Sequence, residues 1–430
     1  ADEHGRGKAV FLPFVAEGEQ VEAELVEEKP GFARARVKEI LAPSPDRILP
    51  SCPYFARCGG CHYQHLRYEA QLAAKVGILR ETLRRTAKLE WSGEIGAVAS
   101  PPWEYRNRTR LRLRTTPEFA LGYNRFGSAE LEPVEKCPIS SPLIQRGIAL
   151  AWELGRARRF REGIREIEFF ADTDDARMLV TLLADPRVEA TPETEAALAE
   201  AIRAALPGVV GVIVAPARPA SADPWEAADA PPTAVFGASF LPYAVRAVEY
   251  QVSAGSFFQT NRFLTDALVE AVLANHSGAL AFDLYAGVGL FTVPLAAKFE
   301  RVVAVESSSA ACRDLRHNAP ATVKWREAAV AEFLERSSAR PDFVIVDPPR
   351  AGLGEKVARA LGALAAPRLA YVSCDPATLS RDLRLLLESG YRVEEIRVLD
   401  LFPQTFHIES VVQLVVGQGP VVPGSDPRVK

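Results

Sequence analysis

The sequence predicts a multidomain α/β protein: a small N-terminal β-barrel of the OB-like, oligonucleotide-binding kind, a central α/β domain with a metal site, and a C-terminal domain on an open, mostly parallel, Rossmann-like sheet. Three observations carry that reading. At 430 residues the chain exceeds the roughly 100–200 of a single domain. Short alternating runs crowd into residues 8 to 41, and strand–helix alternation takes over from about residue 255. Composition narrows the classes further. With 48% hydrophobic and 25% charged residues and a formal net charge of -4, no global positive field draws the chain to a polyanion, so a nucleic-acid partner must be met by a local basic surface. No run approaches the ~20 apolar residues of a membrane span, and no basic start leads into an apolar core. A soluble, cytoplasmic protein with no membrane partner is expected, as a monomer. The chain begins at Ala1 and its sole methionine is Met178, so a few N-terminal residues are expected to be missing and the first element to be incomplete.

The barrel rests on the runs beginning at Lys8, Gln20 and Ala33, separated by turn-like Glu17-Gly18-Glu19 and Lys29-Pro30-Gly31. Several short strands in so few residues suit a small barrel, with or without an oligonucleotide ligand. Cys52, Cys58 and Cys61 then fall within ten residues. Six cysteines are too sparse for a secreted disulfide scaffold, so the cluster points to a metal site in a reducing compartment. With Cys137 as fourth thiolate, tetrahedral zinc and a cubane iron–sulfur cluster fit equally well.

Leu72, Val76, Leu79 and Leu83 recur at three-to-four spacing with Lys75, Arg80, Arg84, Arg85 and Lys88 between them, which predicts an amphipathic helix over 67–88 with a basic, solvated face. Arg106, Arg108, Arg110, Arg112 and Arg114 alternate and would line one face of a strand. Their mutual repulsion requires an anionic cover, either acidic neighbours or RNA phosphate, and RNA is the favoured reading. A hairpin (Ile164 to Phe170, Met178 to Leu183), a helix from Pro192 to Ala205 and a strand Val209 to Val214 complete the central domain, and residues 215 to 232 form a loop.

In the C-terminal part, Leu280 to Tyr285, Arg301 to Glu306, Phe343 to Asp347 and Leu369 to Ser373 are expected strands, which places a ligand beyond their carboxyl ends. Asp283-Leu284-Tyr285-Ala286-Gly287-Val288-Gly289 ends a strand and opens a helix. Position 292 is Thr, so the pyrophosphate fingerprint is incomplete, and Glu306 on the next strand can accept from two ribose hydroxyls. That pair suits S-adenosylmethionine better than a dinucleotide. Asp347-Pro348-Pro349-Arg350 presents Asp347 at the sheet edge and, alone, would suggest methylation of a base nitrogen. Cys374 sits at the same edge between Ser373 and Asp375. A thiolate there suits methylation at a pyrimidine carbon, since C5 of uracil becomes nucleophilic only after addition at C6. Cys312, mid-helix, is by contrast a buried apolar residue. The C5 proton must then be removed, and both Glu409 and His407 are candidate bases.

These motifs together, with Pro43-Ser44-Pro45-Asp46-Arg47, Cys52 through His65, Lys136-Cys137-Pro138-Ile139 and Ser256-Phe257-Phe258-Gln259-Thr260-Asn261, make the chain resemble the RNA (uracil-5-)-methyltransferases over nearly its whole length. The resemblance is to the kind that bears an N-terminal TRAM domain and an iron–sulfur cluster and acts on 23S rRNA. It implies a 4Fe-4S cluster on Cys52, Cys58, Cys61 and Cys137, Cys374 as nucleophile and Glu409 rather than His407 as base. It further implies S-adenosylmethionine binding by Gln259, Tyr285, Gly287, Gly289, Glu306 and Asp347, with Phe257 and Phe258 shaping the site. Two departures stand out: Leu290 replaces a polar cofactor contact, and Ala328-Ala329 lack the Asp or Asn that some relatives place near adenine. The implied domains are a TRAM domain at 1–45, a central iron–sulfur and RNA-binding domain at 46–63 and 96–250, a catalytic domain at 64–95 and 251–417, and a tail at 418–430. The expected partner is rRNA, with tRNA as alternative substrate. A base-nitrogen methyltransferase and an inactive RNA-binding module are the competing readings.

Overall fold

The computed structural model describes residues 8–217, 231–274 and 276–417. The expected tail at 418–430, most of the 215–232 loop and the first seven residues lie outside them.

The larger sheet is eight-stranded, in the order Val323–Glu327, Phe299–Glu306, Gly278–Leu284, Phe343–Val346, Arg368–Ser373, Glu409–Val416, Tyr391–Leu399, Gly96–Val98. The first five strands are parallel. Strand Glu409–Val416 runs antiparallel to both neighbours, with Ser373 opposite Ser410 and Leu399 opposite Glu409. Because it runs the other way, its first residue lies where the parallel strands end. The sheet is covered on both faces, so its inner strands read as continuous apolar runs rather than alternations. Ala281, Phe343, Ile345 and Val372 pack toward helices Thr265–Leu273 and Ser309–Asn318 and the hairpin Phe240–Val245/Val248–Ser253. Phe282, Val344, Val346 and Tyr371 pack toward Gly354–Leu364, Pro376–Glu388 and the segment from Tyr68 to Ala87.

That last segment is a helix, Tyr68–Thr82, widening into a π-helical turn at Leu83–Ala87. Its buried stripe runs Gln71, Lys75, Leu79 and Leu83. Lys75, expected on the solvated basic face, is fully buried, where its Nζ donates to Asp400 Oδ1 at 2.6 Å and to the Phe402 carbonyl at 2.9 Å. An ammonium can be buried when a carboxylate and a carbonyl accept its hydrogen bonds.

The central domain is a seven-stranded sheet in the order Ala234–Gly237, Val209–Pro216, Met178–Ala184, Ile164–Ala171, Arg108–Arg114, Ala120–Asn124, Leu131–Pro133. Helices Pro142–Arg156 and Pro192–Ala205, both begun by a capping Ser or Thr followed by Pro, pack into its core through Ile148, Trp152, Leu198 and Ile202. The arginine strand forms over Arg108–Arg114 only, with Arg106 outside it and turned to the cysteine cavity, and its cover is largely acidic. Glu168 takes two donors from Arg108 (2.6 and 3.0 Å) and two from Arg110 (2.9 and 3.1 Å). Arg112 meets Asn124 Oδ1 at 2.8 Å, and Arg112 and Arg114 are exposed with no carboxylate partner among the described residues.

Where a barrel is expected, the described residues form a three-stranded sheet, with Phe32–Ala42 between Ala9–Phe11 and Gln20–Glu28. Arg34, Arg36 and Lys38 pair across it with Glu27, Glu24 and Glu22, all in solvent, where such pairs contribute at most about 1 kcal/mol each.

Candidate active site

The strand order gathers the candidate residues at one edge of the catalytic sheet. Strand Gly278–Leu284 is followed by Tyr285, held at φ +66°, and then by Gly287 (φ +56°) and Gly289 (φ +96°). A Cβ at position 289 would lie 2.9 Å from Leu315, so this left-handed, tightly packed position requires glycine. Holding the non-glycine Tyr285 in the same region stores strain of the kind found at functional sites. The loop wraps Glu306: Gly287 N–H donates to its Oε2 at 2.8 Å, and Ser307 and Ser308 N–H donate to its Oε1 at 2.6 and 2.7 Å. Oε2 keeps a lone pair for a ligand hydroxyl.

Asp283 and Asp347, on adjacent strands, are both pushed up to about 7. Burial is the main cause for each, and the neighbouring carboxylates add to it. Asp283 is partly relieved by Thr292, whose hydroxyl it accepts at 2.5 Å. Cys374 follows strand Arg368–Ser373, and Asp375 caps the next helix by accepting from Ala377 and Thr378 N–H at 2.9 Å each. Burial, and then the charges of Glu409 and Asp347, push the Cys374 thiol up to about 12, while Arg350 opposes them. Glu409 is buried too, and its carboxyl is driven well above the ordinary range by desolvation and then by Asp347. One acidic, desolvated patch therefore joins Asp283, Asp347, Cys374 and Glu409. It favours neutral side chains when empty and would favour a bound cation.

His407, the other candidate base, accepts from Arg350 Nη2 at its Nδ1 across 2.8 Å. Burial and the Arg350 charge lower it to about 3, so it stays neutral. Gln259 is buried, and its segment is fixed from two sides. Asn107 donates to the Gln259 carbonyl at 3.3 Å, and Asp314 accepts from the Ser253 and Ser256 hydroxyls. The two phenylalanines separate: Phe257 is 51% exposed, whereas Phe258 is sunk in the core 4.6 Å from the Tyr243 ring. Leu290 also belongs to the core, its carbonyl accepting from Tyr250 at 3.0 Å, and Ala328 N–H donates to the Glu306 carbonyl.

Cys52, Cys58, Cys61 and Cys137 line one cavity with Tyr123, Lys136 and Arg106. Burial raises the Cys58 and Cys61 thiols to about 11 and 12, and the neighbouring sulfurs add to it. Among the described residues no group of three or more His, Cys, Asp or Glu side chains is set to hold a metal ion, so the expected site is a cavity lined by four thiols rather than a formed cage. Neutral thiols have no mutual attraction to draw them to a point. The buried Arg106 guanidinium, whose Nε lacks a hydrogen-bond partner, faces the same cavity.

No sequence pattern marks Lys75 or His62 as a site residue. Arg350 closes the Asp347-Pro348-Pro349-Arg350 motif, and the i, i+4 register of Gln71, Lys75, Leu79 and Leu83 is the one local sign that Lys75 faces inward.

The chain belongs to the tRNA (uracil-5-)-methyltransferase family, whose profile matches residues 67–335 and 321–416, and is an RNA (uracil-5-)-methyltransferase, a transferase of one-carbon groups. It is 35% identical to an uncharacterized RNA methyltransferase of Streptomyces coelicolor, over 95% of this chain and 88% of that one. It is 29% identical to the 23S rRNA (uracil(1939)-C(5))-methyltransferase RlmD of Pseudomonas entomophila, over 96% and 90%. Among solved structures it is similar to the Pyrococcus abyssi tRNA (uracil-54, C5)-methyltransferase in complex with S-adenosyl-L-homocysteine, with a TM-score of 0.74 and 25% identity over 95% of this chain and 96% of that one.

Proposed function

We propose that the protein methylates C5 of one uridine in RNA, with 23S rRNA as the substrate and S-adenosylmethionine as the donor. The observation that carries this is the reversed strand Glu409–Val416, which sets a buried carboxylate beside Cys374 at the sheet edge that also holds Glu306 and Asp347. The relatives named for 23S rRNA favour that substrate, and the tRNA enzyme among solved structures makes tRNA the alternative.

The target base must be unstacked for its C6 face to be reached. Cys374 sulfur bonds to C6 and its proton passes to the surroundings, which makes C5 nucleophilic. The donor supplies an electrophilic methyl group on a sulfonium. Glu409 then takes the C5 proton, and the C6–sulfur bond breaks to free Cys374. Arg350 favours the thiolate and holds His407 neutral. Glu306 would accept from the ribose hydroxyls, Gly287 and Gly289 give the donor close access to the backbone, and Gln259 and Tyr285 would border it.

In this reading residues 1–45 are the TRAM domain, residues 46–63 and 96–250 the central domain, and residues 64–95 and 251–417 the catalytic domain, to which Gly96–Val98 adds an edge strand. The four thiols fit a 4Fe-4S cluster: they share one cavity, and Arg106 presents an unpaired donor and a positive charge to what would be an anionic group. Cys52, Cys58, Cys61 and Cys137 would hold it. It supplies no chemistry that the methyl transfer requires.

The test is transfer of labelled methyl from S-adenosylmethionine to unmodified 23S rRNA and tRNA transcripts, with nucleoside analysis. Label in 5-methyluridine, lost in Cys374→Ala, is expected. Full turnover by Cys374→Ala would overturn the mechanism, and label on a base nitrogen would overturn the reaction.

A further inference from the structure

The loop from Asp400 to Ile408 delivers Glu409 and His407 to the site, and much of its hold comes from residues more than 300 positions earlier in the chain. Gln404 stands at φ +68°, a conformation a non-glycine residue keeps only under constraint. Its carbonyl accepts from both His62 N–H (2.8 Å) and Tyr63 N–H (2.9 Å), directly after Cys61. Its amide closes a reciprocal pair with Gln71: Gln404 N–H donates to Gln71 Oε1 at 2.9 Å, and Gln71 Nε2 donates to Gln404 Oε1 at 3.0 Å. The His62 ring packs 4.2 Å from Phe406, and Phe406 packs 4.6 Å from His407. Lys75 secures the Phe402 carbonyl from the same helix as Gln71, and the Tyr105 hydroxyl donates to the Pro403 carbonyl at 3.0 Å.

We propose that His62 and Gln71 are positioning residues for Glu409, so that the segment carrying Cys58 and Cys61 acts on methyl transfer mechanically, by clamping the 400–408 loop. The proposal rests on the reading of Glu409 as the base. It gives the cysteine site a part in the reaction without any electron transfer. Whatever orders residues 58–63 also orders the carbonyl clamp on Gln404, because His62 is bonded through the chain to Cys61. Neither residue touches the reacting atoms, so their loss should slow the chemical steps and leave ligand binding intact.

The experiment compares wild type, His62→Ala, His62→Phe, Gln71→Ala and Cys58→Ser/Cys61→Ser in the full chain. Amide hydrogen exchange of residues 402–408 is followed beside the single-turnover rate of methyl transfer and the Kd of S-adenosylmethionine. Expected are at least tenfold faster exchange at 402–408 and at least tenfold slower transfer in His62→Ala and Gln71→Ala, with Kd changed less than twofold. His62→Phe, which keeps a ring against Phe406, should return both readouts to within about threefold of wild type, and the double cysteine variant should show the faster exchange. Wild-type exchange at 402–408 in His62→Ala and Gln71→Ala overturns the clamp. Faster exchange there with unchanged transfer overturns its role in the reaction. Wild-type exchange in the double cysteine variant overturns the link to the cysteines. If wild type transfers no methyl to either RNA, the proposed function fails, while the exchange data still decide whether the clamp exists.

Discussion

Lowering the pH from about 8 to 6 should weaken S-adenosylmethionine binding far more than binding of its neutral product. Asp347 is held at about 7 in the free protein by burial, then by Asp283 and Glu306. Its charge is felt by Cys374. A donor that delivers a methyl group to a base bonded to Cys374 must bring its sulfonium near Asp347. At a separation of about 5 Å and an effective dielectric of about 20, that pair is worth about 3 kcal/mol, or about 2 pK units. Asp347 is then ionised in the complex even at the lower pH, so binding there must first expel its proton. The sign follows from linkage: the free state holds the proton and the complex does not, so affinity falls as pH drops through 7. The factor is about 11 at pH 6 against about 1.1 at pH 8, a tenfold loss. S-adenosylhomocysteine carries no sulfonium charge and should lose much less. Titration calorimetry at the two pH values, with both ligands and with Asp347→Asn, reads this directly. A donor affinity that stays within twofold across the range, or equal slopes for the two ligands, would refute the reasoning.

Glu409→Gln should cut turnover by about 10²- to 10⁴-fold and leave methylated RNA attached to Cys374, visible as a shifted band on a denaturing gel, because an amide cannot take the C5 proton; brisk turnover without the band would argue for another base. Lys75→Met leaves Asp400 buried without its countercharge and should cost about 3–5 kcal/mol in urea unfolding, with Asp400→Asn added to it recovering part of the loss. Arg112→Ala and Arg114→Ala should each reduce the salt dependence of RNA binding by about one ion equivalent and leave donor affinity unchanged, as filter binding across a salt series would show.

The catalytic sheet was legible because its inner strands are short apolar runs ending in chemically distinctive residues. Tyr285, Glu306, Asp347 and Cys374 were all placed at the sheet edge from such endings. Strands Val323–Glu327 and Tyr391–Leu399 were not read, because each carries charged residues at a sheet flank where one side meets water. The three residues of Gly96–Val98 carry no periodicity at all, and only their pairing with Arg397–Leu399 makes them a strand. Lys75 illustrates a different limit. A lysine on a helix signals solvent until its partner is known, and Asp400 is a tertiary neighbour that no local pattern supplies. The alternation of arginines marks the strand from Arg108 to Arg114 but not the departure of Arg106 from it, and Glu168 sits on the adjacent strand, so local spacing could not decide between acidic neighbours and RNA.

The pairing of Lys75 with Asp400, 325 positions apart, has a consequence for how the protein is made. At about 5–20 residues per second, a ribosome that has emitted the first helix needs roughly 15–65 s to supply its countercharge. Through that interval Lys75, Leu79, Leu83 and Ile95 have no mature surface to bury against, while the central domain, whose strands lie between Arg108 and Gly237, can close on itself. The early segment must therefore wait beside a finished neighbour and dock only when the last strands arrive. A premature stop between residues 237 and 400 would release a chain whose middle can fold while its first helix is left without a countercharge.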